Sequence, residues 1–383
     1  MVSFDAMDTH SDVIVLGAGV IGLSLAFELA QQNLRVSVFD IGLAFSGASS
    51  AAGGMLVPWT EVHEPNALQQ LCTDSFAMYP SYVSRLQRYG NVTLRLSGVL
   101  EIAHTAERMA EFERRATALQ DAGIDAHMLH MNDLADEEPL VAHDALGGLL
   151  TRAGGCVANR ELGHALHAAC AANDVALYEH VASPEIVHDD ERVIGVRIGG
   201  ALHAGTTVIN AMGAWANNAI GVPTSCAIPV SPVRGQLISL RTCDETNLRR
   251  VTWSQGIYAV PRGDGNIDIG ATSENVGFDV RNTKEGTLGL LDAARRAFPT
   301  LHESSCFRAW AGLRPATPDG WPILGKTPLD GYLLATGHYR HGILLAPITA
   351  SLMAKAVVTN DYSELTPFAL ERQSLHHASE VVC

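Results

Sequence analysis

The stretch Asp12–Asp40, DVIVLGAGVIGLSLAFELAQQNLRVSVFD, decides the fold. An apolar run, Val13–Leu16, reads as a strand and meets Gly17-Ala18-Gly19-Val20-Ile21-Gly22. An apolar helical pattern then runs through Ala30, and a second strand, Val36–Phe39, ends in Asp40, eighteen positions after Gly22. Gly17 allows the tight turn out of the strand, Gly19 lets a pyrophosphate approach the backbone, and Gly22 lets helix and sheet pack closely. The helix N-terminus faces the phosphates with unpaired N–H groups and a partial positive charge. Asp40 is placed to accept hydrogen bonds from ribose hydroxyls. Strand, glycines, helix, strand and acid in register predict a dinucleotide site.

The other 354 residues are consistent with this, since a chain of 383 is long enough for two domains or one large one. An apolar fraction of 47% against 17% charged suits a globular protein with a sizeable core. The formal net charge of −15 argues against nucleic acid and anionic membrane, which need basic patches. With only Lys284, Lys326 and Lys355, Schiff-base chemistry has few candidates. Seven scattered cysteines (Cys72, Cys156, Cys170, Cys226, Cys243, Cys306, Cys383) without a C-x-x-C read as reduced thiols in a cytoplasmic protein. His164 and His167 sit one helical turn apart, but no third ligand accompanies them, so no metal site is expected. MVSFDAMDTHSD lacks the features of a signal peptide, and the apolar stretch Val13–Phe27 is too short for a membrane span.

Along the chain, Ser46–Trp59 (SGASSAAGGMLVPW) is a run of small residues able to lie against a flat ligand. Helical patterns follow over Asn66–Tyr89, Thr105–Ala122 and Arg160–Ala172, with a strand ending near Val181. Glu185–Ile209 reads as a meander of three short strands around Asp189-Asp190 and Gly199-Gly200. Val208–Trp215 is again a strand running into a small-residue turn. Val230–Ile269 is strand-rich and precedes a helix over Lys284–Ala297, which predicts an antiparallel sheet in a second domain. The last third, through Tyr332–Val358, returns to strand, Gly337–Gly342 and helix.

GAGVIG near the start, SSAAGGML after the second strand, NAMGAW, GLRPATPDGWPILG and above all GHYRHGILLAP resemble the flavin-dependent amino acid oxidases. The likeness covers nearly the whole chain and points to the glycine oxidase branch of the D-amino acid oxidase superfamily. It implies an α/β fold: a discontinuous Rossmann-like FAD-binding domain over 1–90, 150–225 and 308–383, and an α+β substrate domain over 91–149 and 226–307, built on an antiparallel sheet. It implies non-covalent FAD, with the ADP half on Gly17, Gly19, Val20, Ile21, Gly22 and Asp40, where many relatives have Glu. Ser49, Gly53, Gly54 and Met55 should border the flavin, Val181 should use its backbone near the adenine, and Ile41, Ala48 and Gly213 are assigned to the cofactor as well. His338, Tyr339, Arg340, His341, Gly342, Ile343 and Leu344 should hold the isoalloxazine and ribityl region.

An α-amino acid beside a flavin needs a buried cation with two aligned donors for its carboxylate, which Arg supplies and Lys does poorly. Arg314 in Gly312-Leu313-Arg314-Pro315 matches the family's carboxylate-binding Arg, and Tyr258 matches a pocket Tyr; Arg340 either touches the carboxylate or supports the flavin. Gly256 and Ser273 stand where relatives often carry bulkier pocket residues, which suggests room for N-substituted glycines or small D-amino acids. The implied reaction is hydride transfer from a neutral amine to flavin, imine hydrolysis to a 2-oxo acid such as glyoxylate, and reoxidation by O2 to hydrogen peroxide. Rival readings are a D-amino acid dehydrogenase with a quinone acceptor, a nicotinamide-dependent reductase, and a non-catalytic FAD-binding protein. A homo-oligomer is expected from the resemblance.

Overall fold

Strand Val13–Leu16 is the centre of a six-stranded sheet in the computed structural model, which describes residues 10–61, 65–142, 144–189, 191–241, 248–263 and 265–372. Residues 1–9, Asp190, Cys243 and Cys383, named above, lie outside these. The sheet order is Ile323–Lys326, Tyr332–Thr336, Val208–Asn210, Val13–Leu16, Val36–Phe39, Ala176–Tyr178. All pairs are parallel except the antiparallel edge strand Ile323–Lys326. A parallel sheet must be covered on both faces, so its strands are apolar throughout rather than alternating. Val13 and Val15 pack with the helices Val20–Gln31, Ala67–Leu86, Asn159–Ala172 and Gly342–Thr359. Ile14 and Leu16 pack instead beneath the antiparallel meander Glu185–His188, Val193–Ile198, Ala201–Ala204. Each fully buried Leu or Phe in these layers contributes about 1.5–3 kcal/mol.

The helix Gly342–Thr359 is long and apolar enough to cross a membrane by length and composition, but here it is a core helix. Ile343–Pro347, Met353 and Ala354 are buried in it. Its apolar character is what a helix flanked by a sheet and two other helices requires.

A second sheet of eight strands runs Ser305–Ala316, Ser231–Arg241, Asn266–Gly270, Ile257–Pro261, Val251–Ser254, Val99–Ala103, Gly147–Thr151, Ala126–His130. Every pair is antiparallel except Val251–Ser254 with Val99–Ala103. Helix Lys284–Ala297, capped by Thr283 on the Gly286 N–H, buries Leu290, Ala294 and Ala297 against Ile238, Ile257 and Ile269. Strand Ser305–Ala316 straddles position 308, so residues 308–316, which the sequence assigned to the nucleotide side, lie in this sheet. The strand stays with Ser231–Arg241 through an unbroken ladder from Ser305 to Ala316, with one bulge.

Gly256 is a turn residue, not a pocket residue. With φ +80° it follows Gln255 at φ +50° in the two-residue link between Val251–Ser254 and Ile257–Pro261. Two consecutive positive φ values are the hairpin turn that matches strand twist, which is why glycine stands there.

Candidate active site

One cavity of about 540 Å³ lies between the two sheets. Every residue assigned to the cofactor or to the substrate grip lines it except Gly22, whereas Gly256 and Ser273, expected at pocket positions, do not. A Cβ on Gly22 would stand 1.9 Å from the Gly17 carbonyl oxygen, so Gly22 lets the helix close on the turn from behind. Gly17, at φ +99°, is also hemmed in by Ala211 and Met212: a Cβ there would lie 2.6 Å from the Ala211 oxygen. The turn therefore wedges between two strands with no side chain of its own, leaving backbone to face the cavity.

Asp40 does more than await a ribose. Its Oδ2 accepts from the Ala18 N–H at 2.7 Å and its Oδ1 from the Gly42 N–H at 2.8 Å, tying the glycine turn to the end of the second strand. A carboxylate has about four acceptor positions, so ribose hydroxyls can still be bound. Ser49 accepts from the Val20 N–H at 2.9 Å, and its carbonyl is held by Asn159. The Val181 N–H is used by the Asp40 carbonyl, which leaves the carbonyl of Val181 as its polar backbone group for a ligand.

The second helix facing the cavity begins at Gly342 with no side-chain cap and no acid in its first turn. Pro347 lies inside that helix and has no N–H to offer the Ile343 carbonyl. The hydroxyl of Tyr79 donates to Ile343 O instead, and Ser75 donates to Leu344 O at 2.6 Å, both from helix Ala67–Leu86. Two side chains thus restore what the proline removes and fix the helix end against the cavity. His338 is buried beside Thr349, its Nε2 3.1 Å from the hydroxyl, and burial, with the neighbouring His341, holds its pKa down at about 3. Burial also lowers His341, against the opposing pull of Glu61, so both rings are neutral near pH 7.

The antiparallel sheet supplies side chains. Arg314 lies flat along its sheet: a Cβ on Gly235 would come within 2.3–2.4 Å of the guanidinium. Its Nη1 donates to the Thr272 carbonyl at 3.1 Å, and no carboxylate pairs with it among the described residues. That leaves a fork in the cavity without an anion. Tyr258 is buried, clamped by Gly53 and Gly270, where added Cβ atoms would fall 3.1 Å and 2.3 Å from its ring. Burial pushes its phenol above the usual range, and Arg314 partly opposes this, so the hydroxyl is a donor at neutral pH. Arg262 joins the halves by donating to Gly53 O at 2.9 Å and to Asp268 at 2.6 Å.

Ser273, placed in the pocket by the sequence reading, does not line the cavity. Glu61 and Gly235 line the cavity without belonging to any of the motifs. Glu61 reaches Arg340 at 3.6 Å and His341 at 3.8 Å, a meeting of residues some 280 positions apart. Gly235 shows its purpose only under Arg314.

The wall fits FAD. Glycines that admit no Cβ and two uncapped or hydroxyl-capped helix N-termini suit phosphates and a flat ring system. The fold and cavity define a flavin-type oxidoreductase. The chain belongs to the FAD dependent oxidoreductase family, whose model it matches over residues 12–356, and FAD is its cofactor. It is 34% identical over 370 residues to the glycine oxidase of Geobacillus kaustophilus, covering 95% of this chain and 98% of that one. The crystal structure of glycine oxidase from Geobacillus kaustophilus superposes with a TM-score of 0.89 over 95% of this chain and 99% of that one, at 32% identity. The bifunctional protein ThiO/ThiG of Trichormus variabilis is 35% identical over 91% of this chain, which spans about half of that relative, 52%. The resemblance read from the motifs is borne out.

Proposed function

We propose that the chain oxidises small α-amino acids, namely glycine, N-substituted glycines and small D-amino acids, to a 2-oxo acid and ammonia or an amine. Bound FAD supplies the two-electron oxidation and passes the electrons to O2, giving hydrogen peroxide. The observation that carries this reading is the anion-free fork of Arg314 beside buried Tyr258. Arg314 binds the substrate carboxylate through two parallel N–H donors, and Tyr258 adds a third. That grip orients the α-carbon and is the main contribution the side chains make to rate. The helix end at Gly342, with its unpaired N–H groups, favours negative charge on the ligand opposite it. Neutral His338 and His341 add no charge. The amine must reach the site unprotonated, so activity should rise with pH until the substrate amine has lost its proton.

We infer that Ser305–Ala316 goes with the substrate side, 91–149 and 226–307, because it lies in the same sheet as the strand of Tyr258, and that the FAD side comprises 1–90, 150–225 and the residues after 316. The test is to add glycine, sarcosine and D-alanine to the purified yellow protein without oxygen, then admit air. Loss of visible absorption, reversed by air with peroxide formed, is the expected result. Recovery fast only with a quinone would instead favour a dehydrogenase, and no loss with any amine would overturn the reading.

A further inference from the structure

The substrate end of the cavity is lined by two cations and one anion. Arg314 and Arg340 are the cations, and Glu61 is the anion. Asp40, the other acid on the wall, stands at the nucleotide end and is committed to the Ala18 and Gly42 N–H groups. His338 and His341 are uncharged near neutral pH. Glu61 has a side chain only 14% exposed, and its 3.6 Å and 3.8 Å separations from Arg340 and His341 exceed hydrogen-bonding distance. It offsets the charge of Arg340 without tying up the guanidinium N–H groups. One positive charge, that of Arg314, is left uncompensated.

Resting on the amino acid oxidase reading, we propose that Glu61 sets the charge of the accepted substrate. The site admits amino acids with one carboxylate and rejects those with a second acidic group. A first carboxylate matches Arg314. A second would enter beside Glu61 in a largely apolar cavity, where like charges repel far more than in water. Replacing Glu61 by a neutral isostere frees Arg340 to receive it. The selection is therefore made by an acid that belongs to no motif, acting against the very ligand group the arginines attract.

The test uses the FAD-loaded protein and two anions that cannot be oxidised, acetate and malonate, titrated against the flavin absorption. In Glu61→Gln the affinity for malonate relative to acetate is expected to rise by roughly tenfold. The kcat/KM for D-aspartate relative to D-alanine should rise in parallel. Glu61→Asp, which keeps the charge, should retain the original ratios. If Glu61→Gln fails to hold FAD, Arg340→Met serves instead and should move the malonate ratio downward. Unchanged ratios, or a loss confined to amines, would overturn the proposal. If no amine is oxidised by any form while the malonate ratio shifts, the reaction is misread and the charge rule stands.

Discussion

The two sheets meet the same cavity in opposite ways. The parallel sheet offers backbone: Gly17 admits no Cβ, and the uncapped start of Gly342–Thr359 presents N–H groups to the cavity. The antiparallel sheet offers side chains, Arg314 and Tyr258, each seated on glycines of its own sheet, Gly235 and Gly270. A backbone site recognises what is common to all dinucleotides and tolerates little change. A side-chain site can be retuned one residue at a time. The difference teaches that loss of cofactor and loss of substrate should be separable by mutation.

The sharpest attempt to break that separation is Gly22→Ala. A methyl 1.9 Å from the Gly17 oxygen must open the turn, so the protein should purify colourless, with FAD content read from its visible absorption. Arg314→Leu should do the reverse, keeping full FAD while kcat/KM for sarcosine falls roughly 10²–10³-fold, about 3–4 kcal/mol. If Arg314→Leu lost FAD or Gly22→Ala kept it, the division would be wrong. Tyr79→Phe strands the Ile343 carbonyl and should cost about 1–3 kcal/mol of stability in thermal or denaturant unfolding.

A milder effect concerns pH. His338 titrates near its ordinary 6.5 in the unfolded chain and at about 3 in the folded one. Between those values the unfolded state holds the extra proton, so stability rises with pH across this window and is lost on acidification. Melting temperature should fall from about pH 6.5 downward, and His338→Asn should flatten that slope. Smallest is Gly235→Ala, whose methyl displaces the Arg314 fork: KM should rise several-fold with FAD content unchanged, on the order of 1 kcal/mol.

The same contrast explains how much was legible beforehand. Gly17, Gly19 and Gly22 could be read because backbone sites need glycine at fixed spacing within one short segment. The helix Lys284–Ala297 was legible for a similar reason, its cap and apolar period being local. Arg314 was found only through the motif around it, since nothing local marks a lone Arg as a ligand. Glu61 and Gly235 could not be found at all, because their roles arise from approaches to Arg340 and Arg314 made by segments far away in sequence. Gly256 was misplaced because a hairpin glycine and a pocket glycine look alike until the backbone angles are known.

The strand order of the six-stranded sheet has a consequence for the chain as it is made. Val13–Leu16 emerges first, yet its neighbours are Val36–Phe39 and Val208–Asn210, and Tyr332–Thr336 must then join. The Gly342 helix, itself secured by Tyr79, comes later still. The nucleotide cradle announced by Asp12–Asp40 cannot close until the chain through the Gly342–Thr359 helix has left the ribosome. Until Val208–Asn210 arrives, one edge of Val13–Leu16 stands unpaired, a condition in which chains are exposed to misassembly. Closure of the cofactor cradle is therefore a late event in folding.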